Sequence, residues 1–515
     1  MESSSETILT ESTESRSEED PLLGVNHREN SSKFTVEDAL NKIGIGIFQL
    51  NVFCFSGLLW SAQSIVTLQF ALLSPSWQCE FQLMNTELAI ITTMYPLGNL
   101  VGSFPIGFLC DKYGRRKVIN IATIFIIYFA LMSAFVPSFY WVVVLRFLLG
   151  MLGISGNQAA TYCVEFMPVW FRSPSIVLLN IFWTFGTFLL ILLCYLIIPV
   201  LGWRYLVFIS AFPLMILPLY YWIVPISPRF LMLKGRKNEA RKVLEFGAKL
   251  NCRKLPEGEL VKEIKPVTQQ AINADDTVNR IADLTPSHQN IKKEEKRGIL
   301  DAFNRKYIIT TIFLSLIWFT SAFVYYGVVL ITTDIFTYDH HCHSASDRSN
   351  SSGSQINSQF CNPLTSSDYL EYIITSAAEI PGIFITLVIV DIIGRKLTFA
   401  IQFASGALFF LLYICTPYEY VLKTGILFTV RACLAGAFVV SFLYTGEVYP
   451  TYMRASILSI LSIFARISSI LTSFSAQVLL RSDFLVAISL FGGLGVFTAI
   501  ISLLLPHETK GKKLE

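Results

Sequence analysis

Two charged signatures each occur twice in this chain, and their residue types suit the making and breaking of ion pairs. Asp111 is followed by Lys112-Tyr113-Gly114-Arg115-Arg116-Lys117, and in the second half of the chain Asp391 is followed by Ile392-Ile393-Gly394-Arg395-Lys396. Glu165-Phe166-Met167-Pro168-Val169-Trp170-Phe171-Arg172 and Glu447-Val448-Tyr449-Pro450-Thr451-Tyr452-Met453-Arg454 both read E-x-x-P-x-x-x-R, separated by nearly the same offset as the two aspartates. Glycine permits a tight turn between two helices. The arginines after it can meet carboxylates at neighbouring helix ends, and an aspartate beside a helix N-terminus gains about 0.3–1 kcal/mol. Asp111, Arg115, Arg116, Glu165, Arg172, Asp391, Arg395, Glu447 and Arg454 therefore form a candidate charge network. Such a network can latch two halves of a molecule together and must break when they part. For any single Lys or Arg, topology-setting charge is the plainer alternative.

Other polar side chains interrupt apolar runs. A charge deep in a membrane is costly and marks a pathway or a paired site. Glu379 and Arg466 can pair with each other or contact an anionic or zwitterionic solute separately, and a purely structural pair is an equal alternative. Gln63, Asn157, Gln158, Trp318, Tyr325, Tyr326 and Tyr444 are candidates for lining a cavity, against the alternative of packing or lipid contact. Gly150-x-x-Gly153-x-x-Gly156 permits close helix approach. No GxSxG, HExxH or Walker loop occurs, so the sequence assigns no enzyme activity, no catalytic residue, no cofactor and no metal site. His340, His341 and His343 stand beside Cys342, but a solvated loop with a Cys342–Cys361 disulfide, Cys79 competing, is the favoured reading.

These residues must be positioned by membrane-spanning helices. Of 515 residues 53% are hydrophobic and 15% charged, with a mean hydropathy of +0.55. A soluble domain carries about 25% charge, and a net charge of +3 gives no concentrated basic face for nucleic acid. Apolar runs long enough to cross a bilayer fall at 47–73, 88–110, 118–136, 140–163, 175–200 and 204–224. A second set falls at 307–331, 371–393, 397–415, 421–447, 456–480 and 483–505. The fold class is thus an all-α polytopic membrane protein of twelve transmembrane helices in two six-helix bundles. The repeated motifs make these a parallel repeat, with an axis along the membrane normal. Most of the 40 basic residues share the side of the two termini, which is therefore expected to be cytosolic.

The domains read as a disordered acidic tail over 1–40, a first bundle over 41–224, and a cytosolic loop over 225–306. A second bundle follows over 307–505 with a lumenal loop at 332–370, and then a tail at 506–515. The central loop opens with a basic amphipathic helix near 234–244, expected to lie on the lipid of the inner leaflet. Asn350-Ser351-Ser352 is a glycosylation sequon on the lumenal side. Glu18-Glu19-Asp20-Pro21-Leu22-Leu23 resembles an acidic dileucine sorting signal, which implies a clathrin-adaptor contact and a vesicular or endolysosomal address. No apolar signal segment is expected over 1–40.

The duplicated motifs resemble those of the major facilitator superfamily. Pro225-Ile226-Ser227-Pro228-Arg229-Phe230 is similar to the PESPR signature of its sugar and organic-ion transporters, with Ile226 in place of glutamate. Leu505-Pro506-His507-Glu508-Thr509-Lys510-Gly511 is similar to their closing LPxETKG element. Val36-Glu37-Asp38-Ala39, Ile43-Gly44-Ile45-Gly46, Phe48-Gln49 and the stretch around Trp318-Phe319 and Tyr325-Tyr326-Gly327 resemble synaptic vesicle 2-related proteins. Those relatives carry an acidic pair in the first span; here Gln63 and Val66 stand in its place, so a cation site there is not carried over. The resemblance implies an alternating-access carrier for a small organic solute, acting as a monomer. A vesicle protein that kept the fold for binding alone is the rival reading.

Overall fold

A computed structural model describes residues 33–261, 307–348, 366–416, 420–449, 451–479 and 483–510. A short helix, α1 (Val36–Ile43), precedes the first span, α2 (Ile47–Phe81). Then come α3 (Asn85–Tyr113), α4 (Arg115–Met132), α5 (Phe139–Val164) and α6 (Arg172–Leu201). The sixth span is broken at Ala211 into α7 (Trp203–Ser210) and α8 (Phe212–Tyr220). Two short helices, α9 (Pro228–Leu233) and α10 (Lys237–Leu250), follow it. Among the described residues eleven helical segments are long and apolar enough to cross a membrane. The twelfth expected span is α3, whose 29 residues reach about 43 Å at 1.5 Å each. Its Asn85, Glu87, Asn99, Asp111 and Lys112, together with several hydroxyls and glycines, lower its hydropathy.

The second bundle comprises α11 (Ile308–Arg348), a broken span of α12 (Ser366–Ala377) and α13 (Glu379–Ile393), α14 (Arg395–Cys415), α15 (Tyr420–Val448), α16 (Thr451–Phe474) and α17 (Phe484–Leu503). A single π turn, Ser475–Leu479, extends α16. Helix α11 runs past the expected start of the lumenal loop at 332, because no Gly or Pro stands between Gly327 and Gly353.

The short helices α1, α9 and α10 gather at the end of the molecule that carries Asp111 and Asp391. The expected tail boundary at 40 is corrected here, since Val36–Ile43 is helical. Thr35 and Asp38 form a reciprocal capping box at the start of α1. This lowers the Asp38 pKa through hydrogen bonds from the Thr35 backbone and hydroxyl. Val36, Ala39, Leu40 and Ile43 line one face of α1 and pack with Ala240, Leu244 and Ala248 of α10. A parallel two-residue pairing of Lys33–Phe34 with Glu259–Leu260 closes this unit. The amphipathic helix exists, but its apolar face meets α1 rather than lipid, because α1 offers a matching apolar stripe.

The bundles share one hydrophobic cluster. From the first bundle it takes only the end remote from the motifs, such as Leu73, Trp77, Leu88, Leu190 and Leu206, whereas the second bundle contributes along its whole depth. Val177 with Ile383 and Val439 forms a separate, smaller contact between the halves.

Candidate solute pathway and its charge contacts

Gly114 and Gly394 have φ of 91° and 94°, a region glycine enters without steric cost. That turn lets α4 and α14 start immediately after α3 and α13, which brings the next arginine under the neighbouring helix. In the first half Arg115 Nε lies 3.2 Å from Glu165. In the second, Arg395 makes two 2.8 Å bonds to Glu447 and lies 3.3 Å from Asp391. The pairs join α4 to α5 and α14 to α15. Each half thus closes its own network, and the expected latch between halves is not how these pairs are used here. Arg116 donates to the Tyr221 carbonyl at 2.9 Å and stacks 4.2 Å from its ring. Asp111 is exposed beside this cluster.

Both ends of the described chain add a carboxylate to these networks, and sequence reasoning placed neither of them there. Glu37 Oε1 accepts from Arg172 and from Arg229, each at 2.6 Å. The Arg229 signature carries Ile226 where glutamate is usual, and α1 supplies an acid from elsewhere. At the other end, Glu508 accepts from the backbone N–H of Arg395 and Lys396 at 2.9 and 3.1 Å. Burial raises the Glu508 pKa, but backbone donors from Arg395, Lys396, Lys510 and Thr509 together lower it below the usual carboxylate value. Thr509 donates to Glu447 at 2.6 Å.

Deep in the fold, Glu379 does not pair with Arg466. Its partner is Arg431, 3.0 Å away, with both side chains almost wholly buried. Tyr325 donates to the same carboxylate oxygen at 3.1 Å, and Thr184 of α6, from the other half, donates to Oε2 at 3.1 Å. The repeat explains this arrangement. Arg431 stands in the tenth span within one turn of the position that corresponds to Arg146 in the fourth, whereas Asn99 holds the first-half position that corresponds to Glu379. Arg146 has therefore no repeat-related acid; it donates to the Val66 carbonyl at 3.0 Å and lies over Trp77 and Phe70.

Arg466 sits on α16, which packs along α3 at the seam between the halves. It interacts electrostatically with Tyr326 and Tyr95, keeps part of its side chain accessible, and has no ion-pair partner among the described residues. Tyr326 stands edge-on to Tyr325, their ring centres 5.3 Å apart. Gln63 lines a cavity within the first bundle together with Tyr95, Gly153 and Gly156, its Oε1 buried with no hydrogen-bond partner among the described residues. Asn157 and Gln158 are partly buried on α5.

Two candidates are corrected. Trp318 donates to Thr445 at 3.1 Å and packs edge-on against Phe442, inside the second bundle. Tyr444 is fully buried and donates to the His507 carbonyl at 2.6 Å, which ties down the C-terminal segment. Asn350, Cys361, Glu18, Leu22 and Leu23 lie outside the described residues, as do the side chains of Cys342 and Arg454.

Comparison with known proteins follows the same lines as the geometry. The profile of the Major Facilitator Superfamily matches residues 56–471. The chain is 35% identical over 487 residues to the synaptic vesicle 2-related protein of Xenopus laevis, covering 94% of this chain and 82% of that one. It is 31% identical over 497 residues to organic cation/carnitine transporter 7 of Arabidopsis thaliana, covering 94% and 97%. The xylose transporter XylE from E. coli, in a partially occluded inward-open conformation, superimposes with a TM-score of 0.66 at 18% identity, over 91% of this chain and all of that one. With twin six-helix bundles, duplicated motifs and a profile match over most of its length, this chain belongs to the Major Facilitator Superfamily.

Proposed function

We propose that this transporter carries a small organic anion or zwitterion by alternating access, and that Arg466 is its anchor at the seam between the halves. The observation that supports this is an arginine deep in the fold, partly accessible and without an ion-pair partner among the described residues. An unpaired buried cation is costly, and a solute carboxylate arriving between the halves would relieve that cost. Tyr326 and Tyr95 lie within its electrostatic reach and bring aromatic and hydroxyl groups for the rest of the solute. Glu379 and Tyr325 border the same region through Tyr326, while the first span has Gln63 and Val66 at this depth and its one carboxylate, Glu80, lies at its far end paired with Arg204. The motif networks act within each half and keep it rigid as it rocks. The basic-rich end that carries them is the cytosolic end in this reading, and the resemblance of the N-terminal segment to a sorting signal favours a vesicle membrane.

A thermal-shift screen of the purified chain against organic anions, cations and zwitterions tests the site. Anionic or zwitterionic solutes raise the melting temperature of the wild type, and Arg466→Gln abolishes that shift while leaving the unliganded melting temperature close to wild type. Stabilisation by cations alone, or an anion shift that survives Arg466→Gln, overturns it.

A further inference from the structure

We propose that the C-terminal end of α10 is a docking surface for an anionic lipid leaflet, read by Lys242, Lys249 and Arg253 around the exposed ring of Phe246. This surface lies apart from the solute site and serves a carrier and a non-transporting protein alike. The apolar face of α10 is spent on α1, so a different face is available to lipid. Lys242, Phe246 and Lys249 follow one another at i, i+4 and i+7, which sets them on one stripe of the helix. Arg253 comes in the turn that ends it, where its backbone N–H donates to the Ala248 carbonyl at 2.9 Å. All four side chains are exposed, Phe246 by 53%.

The basic residues of α10 and its flanks fall into two groups. Arg236 and Arg241 are held by Glu239 and Glu245 at 2.7 and 2.9 Å, and Lys237 is held by Glu259. Lys242, Lys249 and Arg253 have no ion-pair partner among the described residues. The first group is neutralised where it stands. The second is surplus positive charge, the complement of an anionic headgroup layer.

The contacts of α10 fix the depth of this stripe. Asn251 Oδ1 accepts from the Phe48 N–H at 3.0 Å, and its Nδ2 donates to Gln49 at 2.7 Å, both in the first turn of α2. A Cβ on Gly44 would lie 2.7 Å from Arg253 Nη1, so the guanidinium lies over the segment that leads into the span. Phe246 stands edge-on to Phe48, ring centres 6.2 Å apart. Ile47 and Leu50, which flank Phe48, are exposed by 63% and 57%, as lipid-facing residues of a span are. The stripe is therefore pinned where the first span enters the membrane. At that level an aromatic ring enters the acyl boundary while lysine ammonium groups stay among the headgroups. A merely solvated face has no use for an exposed phenyl ring between its cations. Docking also reaches inward: α10 packs on α1, and α1 carries Glu37, which holds Arg172 and Arg229. A leaflet that steadies α10 steadies the charge network of the first half.

The test is backbone hydrogen exchange over residues 241–253, measured on the full chain in lipid nanodiscs. One set contains phosphatidylcholine alone and the other phosphatidylcholine with phosphatidylserine. Exchange slows about tenfold or more with phosphatidylserine, since each cation near an anionic surface adds roughly a fivefold preference. The triple variant Lys242→Gln, Lys249→Gln, Arg253→Gln loses that protection, whereas Arg236→Gln with Arg241→Gln, from the paired group, keeps it. Equal exchange of the wild type in the two lipids overturns the proposal, as does protection that survives the triple variant or disappears equally in the paired-group variant. Should the triple variant fail to fold, the wild type decides by salt. About 1 M salt screens the headgroups and removes the protection, and protection that persists in such salt contradicts a charged leaflet. Soluble glycerophosphoserine added to phosphatidylcholine discs gives no protection; protection by it marks a site for a free anion and overturns leaflet docking.

Discussion

Glu37 shows how much one carboxylate can organise. It holds Arg172, the last residue of one duplicated motif, and Arg229, from the signature that lacks its own glutamate. Both pairs are partly exposed, so Glu37→Gln costs roughly 1–2 kcal/mol, seen as a lower melting temperature with unchanged helical content. Glu508 plays the corresponding part on the second half and has a pH signature. Its folded pKa is depressed, so its contribution is complete above the unfolded value of about 4.3 and is lost as pH falls through the lower folded value. Thermal melts from neutral to acid pH check this: wild type loses stability in that window, and Glu508→Gln lacks that part of the loss. The residues of the networks were legible because they repeat at a fixed offset. Their partners were not, because Glu37 and Glu508 reach the motifs from the two ends of the chain, and neither distance nor direction of reach is written in spacing.

At the scale of elements, the glycine stripe on α5 decides how closely three helices approach. A Cβ on Gly150 would lie 2.1 Å from the Tyr95 carbonyl oxygen, one on Gly153 2.5 Å from the Tyr95 hydroxyl, and one on Gly156 1.7 Å from Gln63 Oε1. Backbone cannot yield at Gly150 as a side chain can at Gly156. Gly150→Val therefore separates α3 from α5 and prevents stable folding, whereas Gly156→Ala is tolerated with a displaced Gln63; detergent-solubilised yield and melting temperature distinguish the two. Hydropathy located the spans to within a few residues at most ends, since bilayer thickness fixes their length. It missed the breaks at Ala211 and Ala378, each of which comes two or three residues before a proline, Pro213 or Pro381. It also missed α1, whose apolar stripe of Val36, Ala39, Leu40 and Ile43 is too short to register as a span yet has the helical period and a capping box.

For the molecule as a whole, the two halves meet chiefly at the end remote from the motifs, and hydrogen bonds cross the seam at Thr92–Gln477 and Thr184–Glu379. The motif networks belong to single halves, so Asp111→Asn perturbs the docking of α3 and α4 rather than a cross-half bolt. It lowers transport rate while leaving solute affinity unchanged, as uptake rates and thermal shifts measured on one preparation reveal. The parallel repeat made this plan legible in sequence. The choice of Arg431 over Arg466 as the partner of Glu379 was not, because it depends on which faces of α13, α15 and α16 turn towards each other.

Uptake into proteoliposomes reconstituted with the purified chain tests the carrier most directly. A labelled organic anion identified by thermal shift accumulates with wild type and fails to accumulate with Arg466→Gln of equal folded amount. Absence of uptake for every stabilising anion, or equal uptake by wild type and Arg466→Gln, contradicts a carrier anchored at that arginine.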